Sequence, residues 1–494
     1  MAVFKNPAIR SLVWVALFWV LAASALGAQQ KSPYRVRIAY VIPSDRQPQA
    51  NYRLKAGVLL ERVRKFYADQ MERNGFGRMT FDCESGQDGG PEVHLIRSPL
   101  KAAAFADGTQ AKYTTGKAWS SAFQAMIDGG FAPDAAGEVW LCFVEAQDQA
   151  QDGSIRNDVS QGAGRFGNGC AICSGLALTL GGDPDLIRDD RNYGNLVLPA
   201  IGPHPLLLHI SFPSYQGDDV SSLAACSVGA VAHELGHCFL LQHCYLDDAP
   251  HCGNVMGNGF RGWRGYFLPS RFPDEDCRLD RPSALILSLN PFFRKPSVPI
   301  PYSAPPMIEM HTPPGDMHLS HGAFSVSFTA SEPAGPGISL AILENGLGRD
   351  GVGVVAWKEF DGKSKKVHAT IETNAVNPAL NDTWRLTVLD SSGNVAYQTL
   401  KLKAPRYGIA PHPILNVSRT YAKVGDTVHF RGSVQRPLRF EYGWSFGDGA
   451  AGEGPAIDHV FTKPGLYEVR LTATDPGGRI GQISQFIWVE GKAN

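Results

Sequence analysis

Residues 34–42 (YRVRIAYVI) alternate apolar and charged side chains in their first half, the period-two pattern of a half-buried strand. From Tyr52 to Arg73 the period changes. Leu54, Val58, Leu59, Val63, Phe66, Tyr67 and Met71 recur at helical spacing, and Asn74-Gly75 supplies a stop. The pattern further predicts strands at 78–81 and 92–97, a helix over 117–127, and a strand over the apolar run 139–144. The first 145 residues therefore read as α/β. Residues 146–220, rich in Gly, Asp and Pro, read mainly as loops with one edge strand at 171–180. Ser221 or Ser222 is placed to cap a helix whose apolar and small positions run through Val228, Val231 and Ala232 to about Leu240.

Prolines accumulate from 290 to 314, which marks a linker and a domain boundary near residue 300. Beyond it strands are predicted at 324–329, 338–343, 352–357, 367–373 and 384–389, and the turn Ser391-Ser-Gly-Asn394 precedes another at 395–403. Short strands at this spacing, with no helical period among them, indicate a β-sandwich. A second linker spans 404–413, and the remainder is again strands and turns. Trp444-Ser-Phe-Gly-Asp-Gly449, followed by residues 459–475 (HVFTKPGLYEVRLTATD), resembles the signature of PKD domains, small immunoglobulin-like sandwiches of secreted enzymes. The Gly-Asp-Gly turn closes a hairpin, while Trp444, Phe446, Phe461 and Tyr467 fill a core. The resulting division is 1–28, 29–299, 300–405 and 406–494.

Composition narrows the possible functions. The formal charge of −1 over 494 residues gives no basic surface for a nucleic acid. Only the N-terminus holds a long apolar run: Lys5 and Arg10 precede residues 12–21 (LVWVALFWVL) and the small-residue stretch 22–28, the three-part layout of a secretory signal peptide. Cleavage after Ala25, Gly27 or Ala28 would leave an exported chain, secreted, periplasmic or at the cell surface, with no membrane span. An uncleaved anchor is the alternative. All nine cysteines lie between Cys83 and Cys277, so they mark one domain, and in an exported chain they are expected in disulfides, with at least one left over. Cys170 and Cys173 also have the spacing of a redox pair or half a metal site.

The chemistry concentrates in residues 232–244 (AHELGHCFLLQHC). On a helix, His233 and His237 stand at i and i+4 on one face and can reach a single ion, while Glu234 is placed to accept a proton from a water on the metal's open side. His243 follows six residues after His237, about 9 Å along an unbroken helix, so the chain must turn back near 239–242 for it to join them. The motif resembles that of the metzincin zinc proteases, H-E-x-x-H-x-x-G-x-x-H, at His233, Glu234, His237 and His243. Met256, in the segment 254–259 (NVMGNG), stands where that group has a methionine turn beneath the metal. The resemblance spans about residues 34 to 290 and implies one catalytic Zn2+ held by His233, His237 and His243. Calcium sites, common among such proteases, are not placed by any residue pattern here.

Position 240 departs from the pattern: it holds Leu in place of the Gly that most easily makes the break. Glu275 and His251 are the alternative third ligands. No tyrosine follows Met256 by two residues, where some metzincins place one. The fold expected is an α/β (α+β) metzincin-like catalytic domain followed by two all-β immunoglobulin-like sandwiches, and the function a secreted zinc endopeptidase acting on proteins or peptides. The sandwiches are expected to bind a surface glycan or protein. The alternatives are an idle zinc fold in an adhesion protein, against which the intact Glu234 argues, and a zinc hydrolase of a non-peptide amide or ester.

Overall fold

The computed structural model describes residues 33–87, 89–105, 115–149, 155–156, 160–165, 168–189, 220–244, 252–257, 259, 262–295, 304–311, 325–345, 353–373, 383–401, 411, 413–434, 439–476 and 480–490. β1 (Arg35–Ile42) leads through α1 (Tyr52–Arg73) to β2 (Val93–Arg97), and α2 (Thr115–Asp128) returns the chain to β3 (Glu138–Val144). A small pair, β4 (Asp148–Gln149) and β5 (Ile155–Arg156), precedes β6 (Ser160–Arg165), β7 (Asn168–Ser174) and the short helix α3 (Leu176–Leu180). Next come α4 (Val220–Cys238), β8 (Cys252–Asn254), α5 (Trp263–Phe267), β9 (Asp276–Arg278), α6 (Arg281–Leu289) and α7 (Pro291–Arg294). The main sheet has the order β2-β1-β3-β7-β6; its first four strands are parallel and β6 runs antiparallel to β7.

A parallel sheet needs cover on both faces. The period of two along β1 provides for it: Val36, Ile38 and Tyr40 pack with α1 and α4, whereas Ala39 and Val41 pack with α2 on the other face. The fully buried Tyr67 of α1 donates from its hydroxyl to the carbonyl of Ala232 at 2.8 Å, which pins α1 against α4.

Several expectations change. Residues 78–81 form no strand, and nearby Cys83 and Ser85 make isolated bridges, to Val36 and Pro91. The segment 171–180 is not one edge strand: it divides at Gly175 into β7 and α3, and β7 is an interior strand flanked by β3 and β6. Among the described residues the edges of the sheet are β2 and β6, and β6 lies in a segment whose glycines and polar residues read as loop. Ser221 and Ser222 do not cap α4, since the helix begins at Val220 and both serines are buried within its first turn.

No disulfide joins any of the nine cysteines. Cys170 packs on the α2 face of β7 and Cys173 on the opposite face, because residues three apart on a strand point to opposite sides. The pair therefore cannot close a ring or share a metal, and the buried cysteines act as compact apolar side chains. The signal-peptide reading falls outside the described residues. Among the described residues, no helix is long and apolar enough to cross a membrane.

The middle region comprises β10 (Met307–Met310), β11 (Ser325–Ser331), β12 (Ile338–Asn345), β13 (Gly353–Glu359), β14 (Lys366–Glu372), β15 (Thr383–Asp390) and β16 (Val395–Lys401). Its two antiparallel sheets, β10-β11-β14 and β13-β12-β15-β16, enclose Val326, Phe328, Leu343 and Trp384. Both α7 and β10 lie in the proline-rich stretch that reads as linker. β12 is buried on both faces: Ala341 and Leu343 face the sandwich core, while Leu340 and Ile342 belong to the core of the N-terminal body.

The last region holds β17 (Pro413–Val417), β18 (Tyr421–Lys423), β19 (Thr427–Val434), β20 (Glu441–Ser445), β21 (Ala451–Glu453), β22 (Ala456–Val460), β23 (Gly465–Thr474) and β24 (Ile480–Glu490). These form two sheets, β17-β19-β22 and β18-β24-β23-β20-β21. The Gly447-Asp-Gly449 turn joins β20 to β21 with both glycines at positive φ, and Trp444, Phe446 and Phe461 are buried with half-buried Tyr467 against them. The protein is thus multidomain, mixed α/β in its N-terminal body and β-sandwich beyond.

Candidate metal centre

Helix α4 supplies the first two imidazoles. One helical turn separates His233 from His237, and their ring centroids are 4.8 Å apart. The helix then ends in a Schellman turn: the Leu240 amide donates to His237 O at 3.1 Å and the Leu241 amide to Gly236 O at 2.9 Å. Leu240 itself takes φ 73°, the left-handed conformation that glycine usually supplies. The break expected at this position is therefore made with a leucine, and its strain is offset by packing of the half-buried side chain on the main core. Asn290, from the start of α7, donates to the carbonyl of Phe239 at 3.3 Å, satisfying one of the last carbonyls of the helix.

The turn brings His243 back to the other two. The three Nε2 atoms stand 3.2 Å (His233–His237), 3.2 Å (His237–His243) and 3.3 Å (His233–His243) apart. Three nitrogens at about 2.0–2.1 Å from a tetrahedral zinc would be about 3.3–3.4 Å from one another, so the triad has the dimensions of three zinc ligands with the fourth position open. Tautomers agree with this. His233 Nδ1 lies 2.8 Å from Val255 O and His237 Nδ1 lies 2.9 Å from Leu241 O; each carbonyl accepts the Nδ1 proton and leaves the Nε2 lone pair directed at the common point. Burial, then the neighbouring His243, pushes His233 down to about 4, and burial, then His233, pushes His237 down to about 3. Both imidazoles are neutral near pH 7, the form that binds a metal. Among the described residues these three histidines are the one group of His, Cys, Asp or Glu with such convergence.

The surroundings hold the triad from below and from the side. Residues 254–257 make a tight turn, with the Met256 amide donating to Asn254 Oδ1 at 2.8 Å and the Gly257 amide to Asn254 O at 2.8 Å. Met256 is fully buried against Gly236, where a Cβ would overlap its sulfur. Glu234 is buried, at 8% exposure, on the same helix between the two histidines in sequence. Glu275 takes no part: it is paired with Arg264, whose Nε donates to it at 2.8 Å. His251 lies outside the described residues.

Two glycines that sequence reasoning passed over set the distance between α4 and the sheet. A Cβ at Gly162 would overlap the carbonyl of Glu234, and one at Gly164 the carbonyl of Cys238. Two residues of strand advance about 6.6 Å and one helical turn about 5.4 Å, so glycines at i and i+2 of β6 meet successive turns of α4. Their alternation in residues 160–165 (SQGAGR) is the signal that could have shown it. Gly162→Ala is expected to destabilise the N-terminal body by about 1–3 kcal/mol through overpacking and to lower its thermal transition. An unchanged melting curve would show that the helix has room to move.

The family profile of the PKD domain matches residues 414–487. Residues 414–487 form a PKD domain. No curated protein matches the chain by sequence. Among solved structures, wild-type OgpA from Akkermansia muciniphila aligns over 76% of this chain and 94% of its own, at 16% identity and a TM-score of 0.46. Catalytically inactive OgpA in complex with an O-glycopeptide substrate aligns over the same shares at 16% identity with a TM-score of 0.45. The PKD1 domain of the Vibrio cholerae metalloprotease PrtV is 28% identical, covering 17% of this chain and 99% of its own, with a TM-score of 0.15.

Proposed function

We propose that the chain is a secreted zinc-dependent endopeptidase of metzincin type, with His233, His237 and His243 as the metal ligands and Glu234 as general base. The observation that carries this reading is the triangle of Nε2 atoms, 3.2–3.3 Å on a side, with two of its rings fixed through Nδ1 by backbone carbonyls. Zinc held there supplies Lewis acidity at an open fourth position.

The chain's own groups account for the proton transfers. Glu234 accepts a proton from the water whose oxygen attacks the scissile carbonyl carbon, then delivers that proton to the leaving amine as the C–N bond breaks. One carboxylate thus acts as base and then acid, and it ends the cycle unchanged. Among the described residues no strand pairs with the outer side of β6, so an extended substrate is expected to lie along 160–165. The PKD domain and the middle sandwich would hold the enzyme near its substrate by binding a surface glycan or protein.

The test is incubation of the zinc-loaded mature chain with a mixed peptide library, read by mass spectrometry. New termini that vanish on chelation and return with zinc are expected. A library left intact by protein that carries one zinc per chain would refute peptide hydrolysis.

A further inference from the structure

We propose that β13 of the middle sandwich is a positioning element for the third metal ligand, which makes the sandwich a working part of the metal centre. The proposal rests on the zinc reading above. β13 is the edge of the sheet β13-β12-β15-β16; one side pairs with β12, and the other meets the chain at the ligand turn. There the Val354 amide donates to the carbonyl of His243 at 2.7 Å, and Cys244 bridges to Gly353 and Val354. On the opposite side, the Cys244 amide donates to the carbonyl of Met256 at 3.1 Å. Residues 243–244 are therefore held between the turn beneath the metal and a strand from another domain.

The contact is close enough to be specific. Gly353 has φ 74°, and a Cβ there would overlap the carbonyl carbon and oxygen of His243. The neighbouring residue is held as well: Arg385 of β15 donates to Gln242 Oε1 at 3.2 Å while it is itself clamped by the buried Glu344 at 2.9 and 3.1 Å. Leu340, Ile342, Val354 and Leu389 share a core with Leu241 and Cys244, so the strand that supports His243 cannot slide without exposing apolar surface. His243 lies five residues beyond the end of α4. The Val354 contact fixes its backbone, and groups that orient a ligand typically contribute about ten- to a hundred-fold to metal affinity.

The test uses the full-length chain and measures zinc affinity by competition with a chromophoric chelator, together with the visible absorption of the Co(II)-substituted protein. Gly353→Ala places a methyl group against the His243 carbonyl. Val354→Pro removes the amide that donates to it at an edge position, where the ladder to β12 survives. Both are expected to weaken zinc by about ten- to a hundred-fold and to shift the cobalt bands. Val326→Ala, in the sandwich core and away from residues 241–244, should lower the melting temperature yet keep wild-type affinity. Hydrogen exchange of wild-type residues 353–359 adds a readout that does not depend on a variant folding, and zinc is expected to slow it by reciprocity. Wild-type affinity in folded Gly353→Ala and Val354→Pro, or exchange indifferent to zinc, overturns the proposal while the zinc reading stands. A wild type that binds no zinc overturns both.

Discussion

Glu234→Gln is expected to keep one zinc per chain and to lower kcat by about 10²–10⁴-fold, the usual contribution of a positioned general base. The substitution conserves shape in a buried position, at 8% exposure, so helix α4 and the two histidines beside it stay in place. In the proposed mechanism the substitution removes the carboxylate that accepts a proton from the attacking water. KM should change little, because Glu234 is assigned no part in holding the substrate before reaction. Steady-state kinetics paired with metal analysis checks this. A kcat within twofold of wild type at full zinc occupancy would remove Glu234 from the mechanism, and loss of zinc together with activity would make it a structural support instead.

The second large effect is expected at Leu240. Proline fixes φ near −65° and has no amide hydrogen, whereas this position needs φ 73° and its amide donates to His237 O at 3.1 Å. Leu240→Pro should cost about 3 kcal/mol or more and release His243 from the triad, so that zinc binding weakens by more than about tenfold. Leu240→Gly is the informative companion. It relieves roughly 1–2 kcal/mol of left-handed strain while giving up the packing of a half-buried leucine, so stability and zinc content should stay close to wild type. Chelator competition on the two variants, with thermal melts, separates the outcomes. If Leu240→Pro bound zinc as tightly as wild type, the Schellman turn would not be what delivers His243.

Much of the arrangement was legible because it is local. The period of apolar residues placed α1 over Tyr52–Arg73, the bounds observed, and located β3 to within one residue. The i, i+4 spacing of His233 and His237 needs only a helix to put both on one face. In the PKD domain, the turn and its core aromatics follow from short-range pattern as well. The strands of the middle region from β11 to β16 were found for the same reason, whereas the burial of β12 on both faces was not read from its sequence.

Other features were misread because their cause lies far along the chain. Gly162 and Gly164 read as loop residues, since nothing nearby in sequence shows that α4 passes directly over them. Cys170 and Cys173 suggested a pair by spacing, yet the strand that carries them turns one to each face of the sheet. Glu275 was a plausible ligand by residue type until Arg264, eleven positions earlier, proved to hold its carboxylate.

By itself the sequence determined which side chains could do the chemistry and which local elements carry them, because helix and strand periods are properties of neighbouring residues. The tertiary structure decided that His243 meets His233 and His237. That choice depends on a left-handed leucine, on the turn at Met256 and on an edge strand more than a hundred residues away. Each is a contact between distant segments, whose energy exists only when the whole chain has folded.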